Sequence, residues 1–164
     1  MKKLIFVFAL VLVSCGREKK EVQAPVNDKF SIVLEAVYQF DDSLSVVIKK
    51  DGYWDYENPI PVSVKGQEMI QKITVAIPEQ VYLENFQITL STNKEQKHLD
   101  LKGVTVLNNE KVMLEGSALK YVPYFNANSG MKWDEKMMRN DLSFDGDYPP
   151  GFVGNEQLES VLMN

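Results

Sequence analysis

The chain has 164 residues, with 18 basic and 23 acidic side chains, one histidine and one cysteine. A net charge of −5 disfavours a phosphate backbone as partner. A single cysteine forbids an internal disulfide, and one histidine with one cysteine cannot supply a zinc set.

The first residues are the most specific in the chain. Met1-Lys2-Lys3 gives a short positive start, Leu4 to Val13 an unbroken apolar run, and Ser14 a small residue directly before Cys15. Such a run is too short to span a bilayer and reads as a secretory signal peptide over residues 1–14. Leu12-Val13-Ser14-Cys15 resembles the bacterial lipobox, in which cleavage precedes a cysteine whose sulfur is diacylated. The resemblance implies a membrane-anchored lipoprotein with covalent lipid on Cys15, the two or three acyl chains that firm anchoring needs, and no free thiol. Gly16 stands where an aspartate can retain a lipoprotein in the inner membrane, so the outer membrane is the expected address. Loss of Lys2 and Lys3 with the signal makes the mature chain more negative still. Through Asp28 the sequence is charged and nearly without apolar bulk, so residues 15–28 read as lipidated cysteine and flexible tether.

The folded part begins at Phe30. Phe30, Ile32, Leu34, Ala36, Tyr38 and Phe40 alternate with Ser31, Glu35 and Gln39, a period of two that predicts a half-buried strand. Asp41-Asp42-Ser43 then leads into Leu44 to Ile48 as a hairpin-like opening, and Lys49-Lys50-Asp51-Gly52 turns the chain again. Further strands are expected at Val62 to Val64, Ile70 to Ile77, Phe86 to Leu90, Leu99 to Leu107, Lys111 to Glu115 and Leu119 to Val122. Short strands at this spacing predict an all-β, antiparallel two-sheet sandwich over 29–124, jelly-roll or immunoglobulin-like. Residues 125–164 are expected to wrap it, with one or two short helices: Met131 to Arg139, and Glu156 to Met163 capped by Asn155.

Val46-Val-Ile-Lys-Lys-Asp-Gly-Tyr-Trp-Asp-Tyr-Glu-Asn58, the strand ending in Ile77-Pro78, and Asn85-Phe-Gln-Ile-Thr-Leu90 together resemble small jelly-roll sandwiches of bacterial envelope proteins. Those domains are similar to carbohydrate-binding modules. The likeness covers residues 30–115 and departs at Leu90-Ser-Thr-Asn-Lys94, where such domains often carry Arg-Asp-Pro.

On its own chemistry, Tyr53-Trp54-Asp55-Tyr56 is the candidate binding loop, because sugar rings stack their C–H faces on aromatic planes while their hydroxyls need acids and amides. Trp133 belongs to a second aromatic set in the C-terminal part with Tyr121, Tyr124, Phe125, Tyr148 and Phe152. Both tryptophans have a plain structural role open to them, plugging an end of the sandwich. For metal, Asp145, Asp147 and Glu156 fit three positions of a calcium loop, but Pro149 and Pro150 stand where an acid and a glycine belong. A structural calcium is the one cofactor these residues suggest. For catalysis, His98 reads as an exposed turn residue with no Gly-x-Ser-x-Gly elbow beside it, so no catalytic set is expected.

The expected function is therefore a non-catalytic interaction or assembly module that meets an envelope protein partner, or alternatively a carbohydrate-binding surface lipoprotein. For the anchor, Cys15→Ser should abolish labelled palmitate incorporation and release the protein from the membrane pellet. Unchanged labelling and fractionation would sink that reading.

Overall fold

The computed structural model describes residues 28–146 and 148–163, so the signal, Cys15 and nearly all of the tether lie outside the described residues. Among the described residues, twelve strands form two antiparallel sheets. In chain order they are β1 (Phe30–Val37), β2 (Asp42–Lys50), β3 (Tyr53–Trp54), β4 (Ile60–Val64), β5 (Gln71–Ala76), β6 (Asn85–Thr89), β7 (His98–Asn108), β8 (Lys111–Leu114), β9 (Phe125–Ala127), β10 (Met131–Asp134), β11 (Arg139–Leu142) and β12 (Gly151–Gly154). The α-helix α1 (Glu156–Leu162) follows them. The first sheet runs β10-β11-β7-β1-β5, with β8 also on β7, and the second runs β3-β2-β6-β12-β9, with β4 also on β2. The all-β sandwich expected from the period-two pattern is what the chain adopts.

The core lies between the sheets and follows from alternation along each strand. β1 buries Phe30, Ile32, Leu34 and Ala36, while β6 buries Phe86 and Ile88 and turns Gln87 and Thr89 outward. Tyr38, just past β1, is fully buried and donates its hydroxyl to the Leu90 carbonyl at 2.7 Å, which ties an end of the first sheet to an end of the second. Burial, with the Asp42 charge adding to it, pushes this phenol far above its ordinary value, so it stays a neutral donor. Beside it, the Asp42 carboxylate accepts from the backbone N–H groups of Ser43, Thr92 and Asn93 and from the Ser91 hydroxyl, fastening the loop after β6.

Several local expectations change. β1 and β2 are not a hairpin: β1 pairs with β5 and β7, β2 with β3, β4 and β6. Asp41 to Ser43 therefore carries the chain from one sheet to the other. The next turn does close a hairpin, where Asp51 at φ 50° and Gly52 at φ 78° connect β2 to β3. The strand expected at Leu119 to Val122 is instead a turn, because Ala118 and Leu119 both take positive φ and Pro123 opens a 3-10 turn, Val122–Tyr124.

The helix expected at Met131 to Arg139 is the hairpin of β10 and β11. The Asp134 carboxylate accepts from the backbone of Lys136 and Met137, a local turn that competes with helical bonding, and Met138 at φ 53° completes it. β11 then pairs with β7 through Asn140 and Asp141. The C-terminal segment thus supplies strands to both sheets, β11 on β7 and β12 on β6, where the sequence suggested a covering wrap. The last helix forms as expected: the Asn155 side chain accepts from Gln157 and Leu158, and Leu158 and Leu162 are buried.

Tyr38→Phe removes the donor from the buried Leu90 carbonyl with almost no change of shape. It should destabilise the fold by about 1–3 kcal/mol in urea unfolding, with an unchanged m-value.

Candidate functional site

The outer face of the second sheet carries the less buried half of each alternation. Gln87 and Thr89 of β6, Val153 of β12 and Asn126 of β9 stand there, while Phe86, Ile88 and Phe152 face the core. A groove of about 420 Å³ runs over these residues and takes in Asn128 as well. Two exposed rings border it, Tyr56 from the loop after β3 at 60 % exposure and Tyr148 from the loop before β12 at 74 %.

Asn128 shapes that border. Its Nδ2 donates to the Pro149 carbonyl at 2.8 Å and its Oδ1 accepts from Gly130 and Gly151, so the loop bearing Tyr148 is bound to the turn after β9. A second depression, about 460 Å³, adjoins the first at Asn126 and is lined by Trp54, Asn85, Asn155, Gln157 and the acids Glu156 and Glu159. The Trp54 and Tyr56 rings lie 6.3 Å apart at 32°, so the two form one aromatic border.

The Tyr53–Tyr56 loop is held by charge. Asp55 accepts from Lys50 at 2.7 Å and from Asn58 Nδ2 at 2.8 Å, and those hydrogen bonds hold its carboxyl below the usual carboxylate range. Its backbone N–H also donates to Ile48, which docks the loop on β2. Asp55 is thereby a brace for Trp54 and Tyr56. At the other end, Lys49 meets Glu159 of α1 at 2.7 Å, and the buried Asn85 amide donates to both Glu159 and the Gly154 carbonyl at 3.0 Å. These contacts fix the helix beside Trp54 and pull the Glu159 carboxyl below its ordinary value.

The expected ligand-binding residues divide between places. Trp54 is half-buried, Tyr53 is 79 % exposed but lines neither depression, and Tyr56 is in the groove. Trp133 does not join them: it sits on β10 of the other sheet, 38 % exposed, at a separate apolar cleft. Gln87, Asn126 and Asn128 were not singled out by their sequence context, since only the pairing of β6 with β12 and β12 with β9 sets them side by side. Of the calcium candidates, Asp145 accepts from Ser143 and Glu156 lines the depression with Trp54, while Asp147 lies outside the described residues. Among the described residues no three His, Cys, Asp or Glu side chains gather as a metal set. His98, expected in an exposed turn, is half-buried as the first residue of β7, opposite Asp141.

The direction of the Glu159 shift sets a pH dependence. Because its folded value is depressed, its stabilisation is present above its ordinary value near 4.5 and is lost as pH falls through the lower folded value. Glu159→Gln should therefore lower stability at pH 7 by about 0.2–1 kcal/mol, and the gap to wild type should close in melting curves taken down to pH 3. A gap independent of pH would show that the carboxylate charge is not what holds α1.

Comparison of the chain with protein-family models, curated proteins and solved structures finds no match.

Proposed function

We propose that this protein is a non-catalytic lipoprotein of the bacterial outer membrane, anchored through acylated Cys15, that binds a glycan on the outer face of its second sheet. One observation carries the reading: two exposed tyrosine rings, Tyr56 and Tyr148, border a groove whose floor offers Gln87, Thr89, Asn126 and Asn128. Aromatic faces match the C–H faces of pyranose rings, and amide and hydroxyl groups match their hydroxyls. The polar side chains that line the groove are all uncharged, so a neutral polysaccharide suits it better than a polyanion.

The alternative of a protein-assembly module would be favoured by burial of the Tyr53–Tyr56 loop, and exposure of Tyr53 and Tyr56 weighs toward glycan instead. A jelly-roll relationship to carbohydrate-binding modules is part of the same proposal and rests on the sequence resemblance, the two facing sheets being common to every sandwich.

Affinity electrophoresis through gels containing xylan, mannan or β-glucan tests the assignment. The wild-type domain should be retarded by at least one of them, and Tyr56→Ala and Tyr148→Ala should each weaken retardation about tenfold, equivalent to about 1.4 kcal/mol. Their melting temperatures should stay near wild type, because exposed side chains bury little in the free protein. Absence of retardation in every gel, or retardation untouched by both substitutions, would overturn the glycan reading.

A further inference from the structure

The edges of β9 in the second sheet and β10 in the first each have a strand partner on one side only. Between them opens a cleft of about 520 Å³, within the range of small-molecule sites. Trp133 and Met131 line it from β10, Phe125 from β9, and Phe152 from β12, with Tyr121 and Asn140 completing it. The Phe125 and Phe152 rings meet edge to face at 4.6 Å and Tyr121 lies 6.1 Å from Phe125, so one wall is an ordered aromatic stack.

The polar group in this apolar setting is unusual. Asn140 is 7 % exposed, and its Nδ2 is buried without completing a hydrogen bond. It lies beside the Tyr121 hydroxyl, whose pKa burial pushes up to about 12 and the nearby Asn140 amide partly lowers, although the amide nitrogen completes no hydrogen bond of acceptable geometry there. That hydroxyl reaches the Leu101 carbonyl only at 3.4 Å. Turned end for end, the amide would offer Oδ1 to the phenol and leave its NH₂ as the donor for an occupant of the cleft that Asn140 lines. A buried amide left without a partner is costly, and a ligand oxygen would relieve it.

We propose that the cleft between β9 and β10 is a binding site for a small aromatic molecule carrying a carbonyl or hydroxyl oxygen, its ring held against Trp133, Met131 and Phe125 and its oxygen accepting from Asn140. Ring edges and thioether sulfur favour a flat aromatic body over a saturated chain. The site is distinct from the glycan groove: Tyr56 and Tyr148 do not line it, and the two share only Ala127 and Phe152.

A matched pair of probes tests this: 2-acetylnaphthalene and the near-isosteric 2-isopropenylnaphthalene, titrated into protein labelled at its methionine methyls. Both should shift the Met131 signal and leave that of Met69 unmoved. The ketone should bind about 3–10-fold more tightly, as one net hydrogen bond allows, and Asn140→Ala should erase that preference while still binding the hydrocarbon. Should Asn140→Ala fail to fold, Trp133→Ala at the rim should weaken both probes about tenfold. No shift at Met131, equal affinities for the two probes in wild type, or a sedimenting dimer that buries Trp133 in the free protein would each overturn the proposal.

Discussion

β12 can lie where it does because both its ends are glycine. A Cβ on Gly151 would strike the Ile88 carbonyl of β6, and one on Gly154 would strike the Asn85 side chain and Leu158 of α1. Four residues, pairing on one side with β6 and on the other with β9, thus extend the second sheet by two strands. Without that close approach β9 would have no partner, Asn126 and Asn128 would not stand beside Gln87 and Thr89, and Phe152 would not reach Phe125 and Tyr121. Asn155 caps α1 directly after Gly154, so the helix too is placed by the same ladder.

The two faces of β12 support different chemistries. Val153 looks outward onto a floor of amides and hydroxyls between exposed tyrosines, whereas Phe152 looks inward to a stack of rings and a cleft lined with methionine and tryptophan. This division is the period of two expressed across three neighbouring strands. A one-residue slip of β12 against β6 would exchange the two faces, and the lock on register comes from outside the strand. Asn85 supplies it by donating to both the Gly154 carbonyl and Glu159, which Lys49 of β2 also holds.

What the sequence made legible is what short-range physics controls. Alternation in Phe30 to Tyr38 and in Phe86 to Leu90 identified strands and their buried faces, and Asn155 ahead of Leu158 and Leu162 identified α1 with its cap. Met131 to Arg139 misled because its composition suits a helix, while the Asp134 side chain, bonding two residues onward, turned it into a hairpin that β7 could accept. The aromatic character of Tyr53 to Tyr56 was visible as a type of residue. Its polar companions on the groove floor were not, since Gln87 lies on one segment and Asn126 and Asn128 on another, and the two meet only through non-local pairing with β12. Trp133 was read with a second aromatic set, of which Tyr121, Phe125 and Phe152 meet it at one cleft although it sits on the other sheet from Phe125 and Phe152.

The chain does not lay down one sheet and then the other. From β1 it crosses to β2, β3 and β4, returns to β5, crosses to β6, returns for β7 and β8, and continues to alternate through β9, the β10–β11 hairpin and β12. Each sheet is therefore sewn through the other, and no cut in the sequence separates a half that contains a complete core. Partial unfolding cannot peel one layer away while leaving the second intact, because every loop that frees a strand of one sheet also pulls on its neighbour in the other. A protein built this way resists trimming from its interior loops, since a nicked chain remains stitched by the strands on either side of the cut.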